Sequence, residues 1–265
     1  MKWVDAHNHL QDPRFGTDLP QVLREMREAG ICHAVVNGTQ ESDWKKVLTL
    51  CGEHPDFLSP ALGLHPWYTS SRSPGWLSLL RQGLESASHS TIGECGLDLW
   101  KQPADLKDQW LVLQAHFELA REMNKPLTIH CLKAWQPLMD ALTRSAPLPP
   151  FLLHSFSGPA AMVTALVKLG AYFSLSGYFL SERKTKALHA FAEIPLDRIL
   201  VESDAPDMAP PRDRQGIYHR EAYHHPADLS ACVHALAELK QMPVDECAEI
   251  CWENTTRWLQ RNPCP

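Results

Sequence analysis

His7-Asn8-His9 sets two imidazoles two residues apart, and in an extended segment such residues project to one side, so both can reach a single ion. Alone the pair is weak, because two histidines at a strand end are more often a surface or core feature than a ligand set. Four further residues change the reading. Glu94, His130, His154 and Asp204 each follow a short apolar run, so strand after strand delivers one polar side chain to a common rim. Four imidazoles and two carboxylates suit Zn²⁺, Mn²⁺ or a hard ion such as Mg²⁺. Six exceed the three protein ligands that a catalytic zinc typically uses, which points to two divalent ions sharing a bridging carboxylate and a water.

The clearest of these runs is Ile199-Leu200-Val201, which ends in Glu202-Ser203-Asp204-Ala205-Pro206. It reads as a buried strand with its acids at the exit, since a carboxylate inside the run would be desolvated and unpaired. Other runs have the same form. Trp3-Val4 leads into Asp5-Ala6-His7, Ala34–Val36 into Asn37-Gly38, and Phe57–Leu62 into Gly63-Leu64-His65-Pro66. Thr91-Ile92 leads into Gly93-Glu94, Pro126–Ile129 into His130, Phe151–Leu153 into His154, and Tyr172–Leu175 into Ser176-Gly177.

Helical patterns fall between them: Leu19 to Ala29 with Gly30 as its stop, and Ser42 to Cys51 with Ser42 as N-cap. Leu106, Trp110, Leu113, Phe117 and Ala120 recur at helical spacing, and helices follow at Ala227–Lys240 and Val244–Gln260. About eight short strands alternating with helices predict an α/β fold, a (β/α)₈ TIM barrel, whose sites form at the C-terminal strand ends. A doubly wound open sheet is the competitor. It gathers ligands near one switch point and leaves polar exits on six strands unexplained.

At 265 residues and 44% hydrophobic, the chain can bury the core of one large domain, and residues 1–265 are read as a single unit. Its formal charge of −6 argues against holding nucleic acid by bulk positive potential, so a polyanionic substrate must be gripped locally. Eight cysteines without framework spacing, and an N-terminus unlike a signal peptide, predict free thiols and a cytoplasmic location. No apolar run approaches a membrane span, and nothing implies an obligatory protein partner.

Six motifs in order, Asp5–Leu10, Gly63–Pro66, Ile92–Asp98, Pro126–His130, His154–Gly158 and Glu202–Pro206, make the chain resemble the TatD-type metal-dependent deoxyribonucleases. These are a branch of the amidohydrolase-like barrels, and the resemblance spans nearly the whole length. It implies a barrel with His7, His9, Glu94 and Asp204 at one metal position, and Glu94, His130 and His154 at the other. Two motifs depart from that pattern. Where the family usually has His-Ser-Arg, His130 is followed by Cys131-Leu132-Lys133, which puts an ammonium in place of a guanidinium fork. Where it usually has Arg-Asn-Glu-Pro, this chain has Tyr223-His224-His225-Pro226.

The expected activity is therefore metal-dependent hydrolysis of phosphodiester bonds, of the exonuclease type, on DNA ends or small phosphoesters. Asp204 would orient or deprotonate the attacking water, with Glu94 as the bridge. His65 would donate to a phosphate oxygen, and Glu202 would orient a histidine ligand through its second nitrogen. Lys133 and His225 are the candidate substrate contacts. Trp67 and Tyr68 could stack on a base or merely cap the rim. The alternative is hydrolysis of a small ester, lactone or amide, kept open by Lys133 and His224-His225. A non-catalytic scaffold would show a broken ligand set. The pair Cys247 and Cys251, and His116, His189 and His234 within helices, read as packing or face residues.

Overall fold

The computed structural model describes residues 2–261, apart from the side chains of residues 185–187. Strands and helices alternate as β1 (Trp3–Asn8), α1 (Leu19–Glu28), β2 (Ile31–Asn37), α2 (Glu41–Glu53), β3 (Leu58–Leu62), α3 (Trp76–Ser86), β4 (Thr91–Asp98) and α4 (Leu106–Met123). They continue as β5 (Leu127–Leu132), α5 (Trp135–Ser145), β6 (Phe151–Leu153), α6 (Val163–Lys168), β7 (Ala171–Leu175), α7 (Thr185–Glu193), β8 (Ile199–Val201), α8 (Leu229–Lys240) and α9 (Val244–Leu259). Each strand pairs in parallel with the next, in the order β1 to β8. This is the (β/α)₈ barrel, and the open-sheet alternative falls with the strand order.

The ring is completed at its C-terminal rim. The Asp204 amide donates to the His7 carbonyl at 2.9 Å, and the His9 amide donates to the Ala205 carbonyl at 2.8 Å. Beneath this seam the buried Asp5 carboxylate accepts from the Ser203 amide (2.9 Å) and hydroxyl (2.6 Å), which fixes the end of β8 against β1. At the opposite end, Ala6, Val35, Ala61, Leu152, Tyr172 and Leu200 form an apolar cluster with Trp258 and Leu259 of α9. The Trp258 indole donates to the carbonyl of Leu127, the first residue of β5, at 3.1 Å. The larger cluster lies between the strands and the surrounding helices.

Three expectations are corrected. β1, β4 and β5 run past His7, Glu94 and His130, so these side chains stand inside strands rather than after them. The objection to a carboxylate within a strand fails at Glu94 because it is not unpaired. The start of α2 is capped by Gln40, with Asp43 accepting the backbone amides of Thr39 and Gln40, and Ser42 lies within the helix. Finally, Cys51, Cys95, Cys131, Cys232, Cys247 and Cys251 are free and buried, whereas Cys32 is disulfide-bonded and Cys264 lies outside the described residues. Spacing reveals a framework of several bonds but not a single one. No described helix is long and apolar enough to cross a membrane.

Candidate active site

β4 carries the residue around which the rim is arranged. Gly93 and Gly96 flank Glu94 with φ of +149° and +150°, a region that favours glycine. A Cβ on Gly96 would lie 1.9 Å from the His130 carbonyl oxygen, and one on Gly93 would lie 2.5 Å from that of Thr128. These glycines let β4 press against β5, which brings Glu94 and His130 together, and the ladder is irregular between Ile92 and Cys95 as a result.

The two oxygens of Glu94 serve different groups. Oε2 is 3.4 Å from both His7 Nε2 and His9 Nε2, and those nitrogens lie 3.4 and 3.5 Å from Asp204 Oδ1 and 3.3 Å from each other. Zinc–nitrogen and zinc–oxygen bonds near 2.0–2.1 Å in a tetrahedron require donor separations of about 3.3–3.4 Å. Four of these five separations meet that requirement and the fifth, at 3.5 Å, lies just above it. Oε1 faces His130 Nδ1 (3.1 Å), His154 Nε2 (2.9 Å) and His65 Nε2 (3.2 Å), and the first two are 3.1 Å apart. Ligand atoms close enough to share a cation are found on His7, His9 and Asp204 and, by distance alone, on His65, Glu94 and His130. The donor set fits divalent ions.

For His9, His130 and His65 the second nitrogen decides what the first can do. His9 Nδ1 pairs with the Asn37 carbonyl at 2.8 Å, and His130 Nε2 pairs with Asp98 Oδ2 at 2.9 Å. Both partners are acceptors, so in the neutral ring the proton sits on that side and a lone pair is left for a bound ion, as a ligand requires. His65 is the opposite case. Its Nδ1 accepts the Trp67 backbone N–H at 3.1 Å, so its neutral ring presents Nε2–H to the centre, as a donor and not a ligand.

Burial opposes charge throughout the cluster. It lowers His65 to about 4 and lowers His7, whose ring stacks on that of His154 at 4.0 Å and is repelled by its charge. For His9 burial is outweighed by Asp204 and Glu94, which lift it to about 9, and His154 rises because Glu94 and Glu202 overcome the same penalty. Glu94 and Asp204 stay ionised against burial, Glu94 through the charge on His154 and Asp204 through the His9 hydrogen bond. Protons on His9 and His154 thus balance two carboxylates, a balance that cations on the same donors would supply instead.

The structure brings His7, His9, Glu94, His130, His154 and Asp204 to one centre, with His65 beside them. Glu202 is fully buried; it accepts the Ser155 amide (2.7 Å) and hydroxyl (2.6 Å) and the Ser174 hydroxyl. Its Oε1 is 3.6 Å from His154 Nδ1, beyond a good hydrogen bond, so the expected orienting contact is only an ion pair. Lys133 is exposed, with a left-handed φ of 57°. His225 is not brought to the centre: Nδ1 accepts from the Ala227 amide and Nε2 pairs with Glu25 at 2.9 Å, so both nitrogens are taken by the protein. His224 is buried and pairs through Nδ1 with the Asp207 carbonyl.

Asp98 was missed as a functional residue. It ends the motif Ile92–Asp98, four positions after Glu94, and that spacing was the available signal. Oδ2 accepts from His130 and from the Trp67 indole (2.8 Å), and Oδ1 accepts from the amides of Trp100 (2.7 Å) and Lys101 (3.0 Å). These partners overcome burial and hold its pKa at about 2.

A family model described as TatD related DNase matches residues 4–260. The chain is 32% identical over 257 residues to the uncharacterized metal-dependent hydrolase YjjV of Escherichia coli strain K12, covering 96% of each. It is 31% identical over 208 residues to a protein of Erwinia tasmaniensis named 3'-5' ssDNA/RNA exonuclease TatD, covering 78% of this chain and 80% of that one. The crystal structure of the E. coli YjjV protein superimposes with a TM-score of 0.88 at 29% identity over 97% of each chain. A TatD-family hydrolase from Entamoeba histolytica, at 19% identity and a TM-score of 0.86, shares the fold.

Proposed function

From a chain that belongs to the TatD-related DNase family of metal-dependent hydrolases, we propose an enzyme that cleaves phosphodiester bonds at the ends of single-stranded nucleic acid. The observation that carries this reading is the division of Glu94, one oxygen to His7 and His9 and the other to His130 and His154. That division suits two ions, and the exonuclease named in Erwinia tasmaniensis supplies the substrate class. His7, His9, Glu94 and Asp204 would hold one ion, and Glu94, His130 and His154 the other. Bound divalent ions supply Lewis acidity toward a phosphoryl oxygen and make water a stronger nucleophile at neutral pH.

The protein's own groups do the rest. Asp204 Oδ2 points to the Ser155 hydroxyl at 3.4 Å, a weak contact that leaves this oxygen available to orient the attacking water and accept its proton. His65 donates through Nε2–H to a non-bridging phosphoryl oxygen as charge develops there. Glu202, held by Ser155 and Ser174, stands behind His154, with Oε1 3.6 Å from its Nδ1. Asp98 fixes the ring of His130.

The deciding experiment is an activity panel in Mg²⁺, Mn²⁺ or Zn²⁺ comparing a single-stranded oligonucleotide with a lactone and an amide. Release of mononucleotides from the oligonucleotide is the expected outcome. Turnover of the lactone or amide with an intact oligonucleotide would overturn the reading and favour a carbon-centred hydrolase.

A further inference from the structure

Two indoles stand exposed beside the candidate centre, Trp67 at 38% and Trp100 at 55% of their surface. Rings that capped the barrel core would be covered, so core packing does not account for them. They neighbour each other, with centroids 6.4 Å apart and planes inclined by 32°. That is too far for direct stacking and close to two base steps of about 3.4 Å. Lys101 Nζ lies 4.3 Å from the Trp67 ring centroid, so a cation already rests on this π-face.

The placement of these groups is fixed by the carboxylate that also fixes a candidate metal ligand. Asp98 Oδ2 accepts from both the Trp67 indole and His130, while Oδ1 holds the backbone of Trp100 and Lys101. Trp67 is also edge-on to His65, with centroids 4.9 Å apart. One buried acid therefore sets the distance between the aromatic pair and the reacting position.

We propose that Trp67, Trp100 and Lys101 form the subsite for the terminal nucleotide of a single-stranded substrate, resting on the phosphodiester reading above. The base stacks on the indoles, and the Lys101 ammonium moves from the Trp67 face to the adjoining phosphate. Every base has a π-face, so the subsite accepts all bases and demands only that one be present and unpaired.

The test uses the full-length, metal-loaded protein and two single-stranded oligonucleotides that differ only at the 3' terminus, one ending in thymidine and one in an abasic nucleotide. Wild type is expected to show a KM for the base-bearing end about tenfold below that for the abasic end, in line with stacking on a single aromatic platform. In Trp100→Ala that ratio falls to about one, while Trp67→Phe, which keeps a ring, retains most of it. A ratio unchanged in Trp100→Ala, or a wild type that cuts both ends with equal KM, overturns the subsite and leaves the nuclease reading standing. If neither end is cut, the nuclease reading fails, and quenching of tryptophan fluorescence by pentathymidylate decides the platform. Binding about tenfold weaker in Trp100→Ala supports it, and equal binding overturns it.

Discussion

A carboxylate buried as deeply as Glu94 survives as an ion because both oxygens are met by imidazoles, and the same arrangement makes it a bridge. Asp204 differs in having one oxygen near the histidines and the other 3.4 Å from Ser155 Oγ. If it accepts the proton of the attacking water, Asp204→Asn keeps the shape and removes the acceptor, and kcat on an oligonucleotide should fall by about 10² to 10⁴. Retention of more than about a tenth of wild-type kcat would refute that role. Asp98 acts one contact further out. In Asp98→Asn one oxygen becomes an amide that meets N–H donors, so the orientation of His130 is lost. Calorimetric titration with Mn²⁺ should then show one site weakened about 10- to 100-fold and the other little changed. Two sites of wild-type affinity would mean that Asp98 does not support the centre.

The strands and helices show what was legible in the chain and what was not. Period, breakers and repeated polar exits identified the barrel, since each of those signals is local. The three-dimensional partners of buried polar groups are not local, so Glu94 was expected outside β4, and nothing in Tyr223-His224-His225-Pro226 announced that His225 would be taken up by Glu25 of α1. The six candidate ligands were readable because five of the eight strands, β1, β4, β5, β6 and β8, each contribute one or two at a similar place. His116 was read as a face residue, yet it is buried in α4, donating through Nδ1 to the Val112 carbonyl (2.8 Å) and accepting the Leu64 amide on Nε2 (3.1 Å). This fastens α4 to the turn that carries His65. Burial lowers His116 from 6.5 to about 4. A depressed folded pKa means that its contribution is intact above 6.5 and is lost as pH falls toward 4. Relative to His116→Gln, which does not titrate, wild type should lose about 2 kcal/mol between pH 7 and pH 5, read from urea unfolding. A stability difference that stays constant over that range would show that His116 is free to ionise.

Structure and chemistry lie at opposite ends of the barrel. The apolar cluster at one end is sealed by Trp258, while the rim is closed by backbone bonds between β1 and the segment after β8 and by the Asp5–Ser203 contacts. None of those closing interactions passes through the side chains of the candidate ligands, and protons on His9 and His154 can balance the carboxylates without an ion. Removal of metal by chelator should therefore abolish hydrolysis while leaving one cooperative thermal transition. Ions bind the folded rim and not the unfolded chain, so they add stability only by mass action. At a free concentration one hundred times Kd that is about 2.7 kcal/mol per site. For a chain of this size the corresponding rise in Tm is about 5–10 °C per site. Adding Mn²⁺ back to the chelated protein should restore both activity and that increment, followed by calorimetry in parallel with oligonucleotide cleavage. Loss of the cooperative transition in chelator would instead make the ions part of the fold, and the separation between the sealed end and the reactive rim would be wrong.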